Sequence, residues 1–184
     1  MSNNRFISIT CAIALGLAAV SASADVMVGG SAMLAQKNIV QNAINSKDHT
    51  TLVAAVKAAG LVDTLQGKGP FTVFAPVNAA FAALPAGTVD SLLKPENKAT
   101  LTKVLTYHVV PGRLTASDLD ALIKKGNGSA ELTTASGGKL WVMKNGDRNI
   151  TIKDEAGATA DISIYDVMQS NGVIHSVDRV LMPR

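Results

Sequence analysis

A change of hydrophobic period near residue 129 divides this chain into two unlike halves. Before it, apolar residues recur at helical spacing: Leu52, Val53, Val56 and Ala59 share one face of "TLVAAVKAAGL". After it come "AELTT", "KLWVMK", "NITIKD", "ATADISI" and "GVIHSVDRVLMP", which read as strands. "NGDR", "EAG" and "SNG" supply the turns between them. A helix-rich first half and a strand-rich second half predict one α+β domain. No heptad, low-complexity tract or internal repeat interrupts that division.

The punctuation of the first half places its elements. "NIVQNAINSKDHTTLVAAVKAAGL" reads as two helices, with Asp48 as the N-cap of the second and Gly60 just past its end. His49 falls in the first turn of that helix and is expected to face solvent. "LVDTLQGKGP" breaks the helical pattern, and "FTVFAP" follows as a short strand closed by Pro76. Asn78 is placed to cap a short helix carrying Phe81 and Leu84. Pro95 starts a further helix through "PENKATLTKVLTYH". "PGRLTASDLDALIKKGNG" reads as a strand and then a helix capped by Ser117. Residues 25–37 are expected to form a flexible lead-in to a domain covering 38–184.

Residues 1–24 read as a signal peptide. Arg5 gives a basic start, "FISITCAIALGLAAV" is an apolar run of secretory length, and Ala22 and Ala24 form an Ala-x-Ala site before Asp25. That run is too short and too rich in Ala and Ser to be a membrane span, and no later stretch qualifies as one. The only cysteine, Cys11, lies inside the leader, so the mature chain has no disulfide, thiol nucleophile or cysteine metal site. An exported domain of this kind stands on its hydrophobic core. A chain of this length can bury roughly two-thirds of its surface, and a hydrophobic content of 47% is consistent with that. Lys and Arg number 17 against 14 Asp and Glu, and the charges are scattered among few aromatics. A nucleic-acid surface would need a basic stripe with stacking rings, so no nucleic-acid partner is expected.

Three stretches together resemble the fasciclin domain. "FTVFAPVNAAFAALP" (71–85) is similar to the family's first sequence box, "TYHVVPGRL" (106–114) to its central Tyr-His motif, and "NGVIHSVDRVLMP" (171–183) to its second box. Within them Phe74, Pro76, Asn78, Phe81, Pro111, Gly112, Asn171, Gly172, His175 and Asp178 stand at motif positions. The resemblance spans about residues 38 to 183. It implies a wedge of two β-sheets with several helices along its side. It also implies a secreted or surface-attached module that mediates adhesion and extracellular contacts. The first box departs from the family pattern: Val77, Asn78, Ala79 and Ala80 stand where members often carry a more polar and acidic helix start.

Tyr107 and His108 are the residues whose role matters most. Leu101, Val104, Leu105 and His108 fall at i, i+3, i+4 and i+7, so His108 completes the apolar stripe of its helix. Pro111 biases Val110 out of the helical region, which ends the helix near His108. The histidine is then placed to bond the last carbonyls. Tyr107 lies about 100° round the helix and is expected nearer the surface. Animal members of the family use this region to engage integrin receptors, so the resemblance implies partner binding at Tyr107 and His108. His175 alternates with Val173 and Val177 as a half-buried strand residue does. Asp178 and Arg179 could pair with distant groups or cover a sheet edge.

No two histidines stand at ligand spacing, and no serine sits in a G-x-S-x-G elbow. A non-enzymatic module without metal or cofactor is therefore expected, exported to the periplasm or cell surface as a monomer. Its partner would be a protein or a cell-surface or matrix component. Two other readings stand beside it. One is a binder of a small apolar ligand or lipid, using a cleft between helices and wedge. The other is a hydrolase-like enzyme using His108 or His175 as base. Mass spectrometry of exported protein should show Asp25 as the N-terminus. A full-length chain held in a membrane fraction would refute the cleavage site.

Overall fold

The computed structural model describes residues 25–147 and 149–184; the leader, with Cys11 and the cleavage site, lies outside the described residues. The chain opens with a hairpin of β1 (Val26–Val28) and β2 (Ser31–Met33), paired antiparallel. Val28 and Met33 are buried in the core, so the lead-in expected to be flexible carries regular structure packed on the domain. Helix α1 (Ile39–Ala43) starts at a capping box in which Asn38 accepts from Gln41 N and the Gln41 side chain accepts from Asn38 N.

A single 3-10 turn at Lys47–His49 leads into α2 (Thr50–Ala59). Leu52, Val56 and Ala59 are buried along it, as their spacing predicts. Gly60 ends it in the left-handed conformation, with φ 73°. Asp48 is not its cap, because the extra turn moves the helix start to Thr50. The break after α2 holds one more short helix, α3 (Val62–Gln66). Strand β3 (Phe71–Pro76), helices α4 (Asn78–Ala82) and α5 (Thr88–Leu92), a 3-10 turn begun by Pro95, and α6 (Lys98–Tyr107) follow. Then come β4 (Val109–Pro111) and α7 (Ala116–Lys125). Thr115, not Ser117, caps α7: its hydroxyl accepts from Asp118 N, and the Asp118 carboxylate accepts from Thr115 N. Ser117 is already the second helical residue.

Five strands complete the chain: β5 (Ser129–Thr133), β6 (Lys139–Asn145), β7 (Asn149–Lys153), β8 (Thr159–Gln169) and β9 (Gly172–Val177). Together with β3 and β4 they form a sheet in the order β4-β3-β9-β8-β7-β6-β5. Strand β8 joins its two halves. Its residues Thr159–Asp161 pair with β7, and Ile162–Gln169 pair with β9. The register shifts around Ile164, close to Asp166, which takes a positive φ of 54°. This bend turns the two halves into the expected two-sheet wedge. Ala135 N donates to Val109 O at 2.7 Å, so the outer strands nearly close on each other.

The three motif stretches meet in this sheet. Strand β3 lies parallel to β9 with Phe74 opposite His175 and Pro76 opposite Val177, and antiparallel to β4 with Phe71 opposite Pro111. Alternate side chains of β3 enter two cores. Val73 and Ala75 join Leu52, Val56, Leu101 and Leu105 under the helices. Phe74 joins Tyr107, Leu119, Leu140 and Ile152 on the other face. Each large side chain buried there contributes on the order of 2 kcal/mol. Phe81 packs in the helix-side core. Gly172 is required by close approach, since a Cβ there would stand 2.1 Å from the Phe71 carbonyl oxygen.

Two motif asparagines act at a distance. Asn171 Oδ1 accepts from Ile39 N, and its amide donates to Leu65 O and Gly67 O, tying the strand turn to α1 and α3. Asn78 is not the cap of its own helix, because it is the first residue of α4 and Val77 precedes it with no side-chain bond. Its Oδ1 instead accepts from Thr51 N at 3.0 Å and from the Thr50 hydroxyl, while its amide donates to Lys47 O. It thereby caps α2 from across the fold. Asn78→Ala should cost roughly 0.5–2 kcal/mol, as cap losses do, with hydrogen exchange accelerated at Thr51 rather than in α4. Unchanged protection at Thr51 would refute the cross-fold cap.

Candidate functional site

Helix α6 delivers Tyr107 and His108 into the interior together. Tyr107 is fully buried, and its hydroxyl donates to Lys139 O at 2.6 Å and accepts from Glu155 N at 2.9 Å. The expectation of a surface hydroxyl is therefore overturned. The ring sits on the inner face of β6, where burial removes the helix-edge exposure that periodicity implies. Gly138 makes room for it: a Cβ there would lie 2.7 Å from the ring. Loss of water around the phenol pushes its pKa up to about 12.

His108 caps α6 as the stripe predicts, with 3% exposure. Its Nδ1 donates to Val104 O at 2.8 Å, and its Nε2 accepts from Leu181 N at 2.9 Å. That pairing needs the neutral ring, because a proton on Nε2 would face an N–H donor. Burial accordingly pulls its pKa down to about 4, against the raising effects of the Val104 carbonyl and Asp154. Asp154 holds the same segment after β9: its carboxylate accepts from Met182 N, and also from Ala158 N. Glu155 accepts from Lys139 N and Arg184 N, which hold its carboxyl below the usual range.

His175 is fully buried, stacked on Phe74 at 5.8 Å and edge-on to Tyr165 at 6.1 Å. Its Nε2 donates to Leu114 O and its Nδ1 accepts from Asp166 N. His49 is buried rather than solvent-facing, because the β1–β2 hairpin and the 3-10 turn enclose it. It lies between the hydroxyls of Ser46 (2.9 Å) and Ser176 (3.4 Å). Desolvation lowers the pKa of both rings. The three histidines do not converge on one site. Pro111 is exposed, and the Gly112 carbonyl accepts from the Thr72 hydroxyl. Asp178 Oδ1 accepts from Asp161 N, closing the end of the β8–β9 pair.

Sequence reasoning passed over Gly138, Asp154 and Glu155. The doubled glycine in "SGGKL" is their one local signal, since each has a partner remote in the chain: Tyr107 for Gly138, Met182 for Asp154, and Lys139 and Arg184 for Glu155. The cavity beneath the helices, lined by Ile39, Val56, Leu65, Leu105 and His108 among others, holds about 60 Å³. That is far below the roughly 300–1,000 Å³ of small-molecule pockets.

Because the folded state holds these rings neutral, it binds fewer protons than the unfolded chain below pH 6.5, so stability falls on acidification. For His108 the loss runs from about pH 6.5 to about pH 4 and is on the order of 3 kcal/mol. The other two histidines act in the same direction. Urea midpoints between pH 7.5 and pH 4 should fall steadily through this window, and less steeply in His108→Gln. A midpoint independent of pH would show that the rings charge without penalty.

A family model described as the fasciclin domain matches residues 47–183. The protein sll1483 of Synechocystis sp. is 48% identical over 145 residues, covering 79% of this chain and 73% of that protein. The transforming growth factor-beta-induced protein ig-h3 of Sus scrofa is 39% identical over 132 residues, which span 72% of this chain and 17% of that one. The cell surface glycolipoprotein MPB83 of Mycobacterium bovis is 36% identical over 160 residues, covering 84% and 64%. Among solved structures, a FAS1 domain pair from the insect cell adhesion molecule Fasciclin I shares the fold. Its TM-score is 0.69 over 79% of this chain and 51% of that one, at 18% identity.

Proposed function

This chain belongs to the fasciclin domain family, and on that premise we propose that it is an exported, non-enzymatic module mediating adhesion at a cell surface or in the periplasm. Its partner in this reading is a protein or matrix component, met by a single monomeric domain. The names of relatives point the same way: MPB83 is a cell surface glycolipoprotein, and the insect neighbour is a cell adhesion molecule.

One observation carries the reading over its rivals. The ring nitrogens of all three histidines are engaged within the fold, and two of the rings each accept a backbone N–H. A general base needs a free lone pair within reach of substrate, and neither His108 nor His175 offers one. The 60 Å³ cavity disfavours an enclosed apolar ligand in the same way. Recognition is left to the outer surface. Tyr107 and His108 then act on a partner through the shape they hold, with no atom of their own at the contact. Among the described residues no helix is long and apolar enough to cross a membrane.

Surfaces coated with the mature chain should retain cells of the producing organism several-fold above an albumin control. A heat-denatured coat should lose the effect. Retention no better than albumin, at full coating density of folded protein, would end the adhesive reading.

A further inference from the structure

The outer face of the β5–β6–β7 hairpins carries a feature that adhesion by the family fold does not explain. Leu140 and Val142 of β6 point inward and are fully buried, so Trp141 and Met143, which alternate with them, point outward and stay partly exposed. Trp141 stands opposite Glu131 of β5 and Lys153 of β7, and Met143 opposite Ser129. Trp141, Met143, Ser129 and Lys153, with Glu155 and Arg184, line an open cleft of about 390 Å³. That volume lies within the range of small-molecule sites, unlike the cavities inside the domain.

The hydrogen-bonding character of the cleft is one-sided. Its two carboxylates, Asp154 and Glu155, already accept a backbone N–H on each of their four oxygens. Glu131 outside it is paired with Lys139 at 2.8 Å. Among the described residues, no hydrogen bond or ion pair engages the Lys153 ammonium, the Arg184 guanidinium or the Trp141 indole N–H. These groups are donors only. The unengaged donors therefore favour a ligand that brings acceptors, best as carboxylates, which bind cationic donors more strongly than neutral oxygens do. It must also bring an apolar face to lie on the indole and the Met143 thioether. A sugar ring bearing a carboxylate has both.

We propose that the cleft at Trp141, Met143 and Lys153 is a binding site for acidic glycans built of uronic acids. Trp141 is the only tryptophan in the chain, so its fluorescence reports the cleft directly. Titrating the purified mature chain with oligogalacturonate should give a saturable emission change. Calorimetry should show binding at least tenfold weaker in Trp141→Ala and in Lys153→Ala, both with unaltered circular dichroism. Neutral oligosaccharides of equal length should bind at least tenfold more weakly than the uronate. No emission change with oligogalacturonate would overturn the proposal. So would equal affinity for the neutral sugar, or full affinity in Lys153→Ala, which also decides the matter if Trp141→Ala fails to fold. Sulfated dextran bound equally by wild type and both variants, with no preference for uronate, would reduce the site to unspecific charge attraction and overturn it too. The readout is binding by purified protein, so a failed titration leaves cell adhesion standing, and failed adhesion leaves the cleft standing.

Discussion

The parallel pairing of β3 with β9 is the contact on which the other layers depend. Phe71 faces Gly172 across this ladder, so the pairing joins segments about a hundred residues apart and must overcome a large loop-closure cost. A parallel pair is stable only when both of its faces are covered. The helices and the hairpin cover one face, through Val73, Ala75 and Ile174. The β5–β8 half of the sheet and α7 cover the other, through Phe74 and Val177. Neither half of the chain can bury its apolar surface without the strand pair between them. That is the physical content of calling this one domain.

Buried polar groups fix how those layers sit. Tyr107, His108, Asn171, Asn78 and Asp154 each reach backbone groups distant in sequence, through bonds that are buried at His108 and partly buried at the others. An unpaired group at such a place costs more than the bond gains, so the bonds select one arrangement rather than merely adding stability. The same saturation decides what the interior can do chemically. Histidines that must remain neutral donors and acceptors are struts, and they make the fold sensitive to acid.

In the adhesive reading proposed above, recognition belongs to the outside of a rigid scaffold, where sequence can vary without disturbing the cores. Trp141 illustrates the division. Its neighbours Leu140 and Val142 are held by packing, whereas the indole projects from the same strand toward open space. Strand alternation lets one short segment serve the core and the outer face at once.

Local sequence carried much of this. The change of period at residue 129 set the α+β class. The spacing of Leu101, Val104, Leu105 and His108 placed the histidine inside at a helix end, because a residue's position on a helix follows from the chain geometry alone. The three motif stretches pointed to the family and so to the two-sheet wedge. Tertiary structure decided the rest. Tyr107 was expected near the surface, yet β6 covers it, and a single helix cannot reveal what a strand thirty residues onward will place on its flank. Asn78 was expected to cap its own helix, and His49 to face water. Both serve or are enclosed by elements that sequence places apart and folding brings together. Periodicity determined which face of each element is apolar; only the packed chain determined which polar atoms meet, because those partners are fixed by distances in space and not along the sequence.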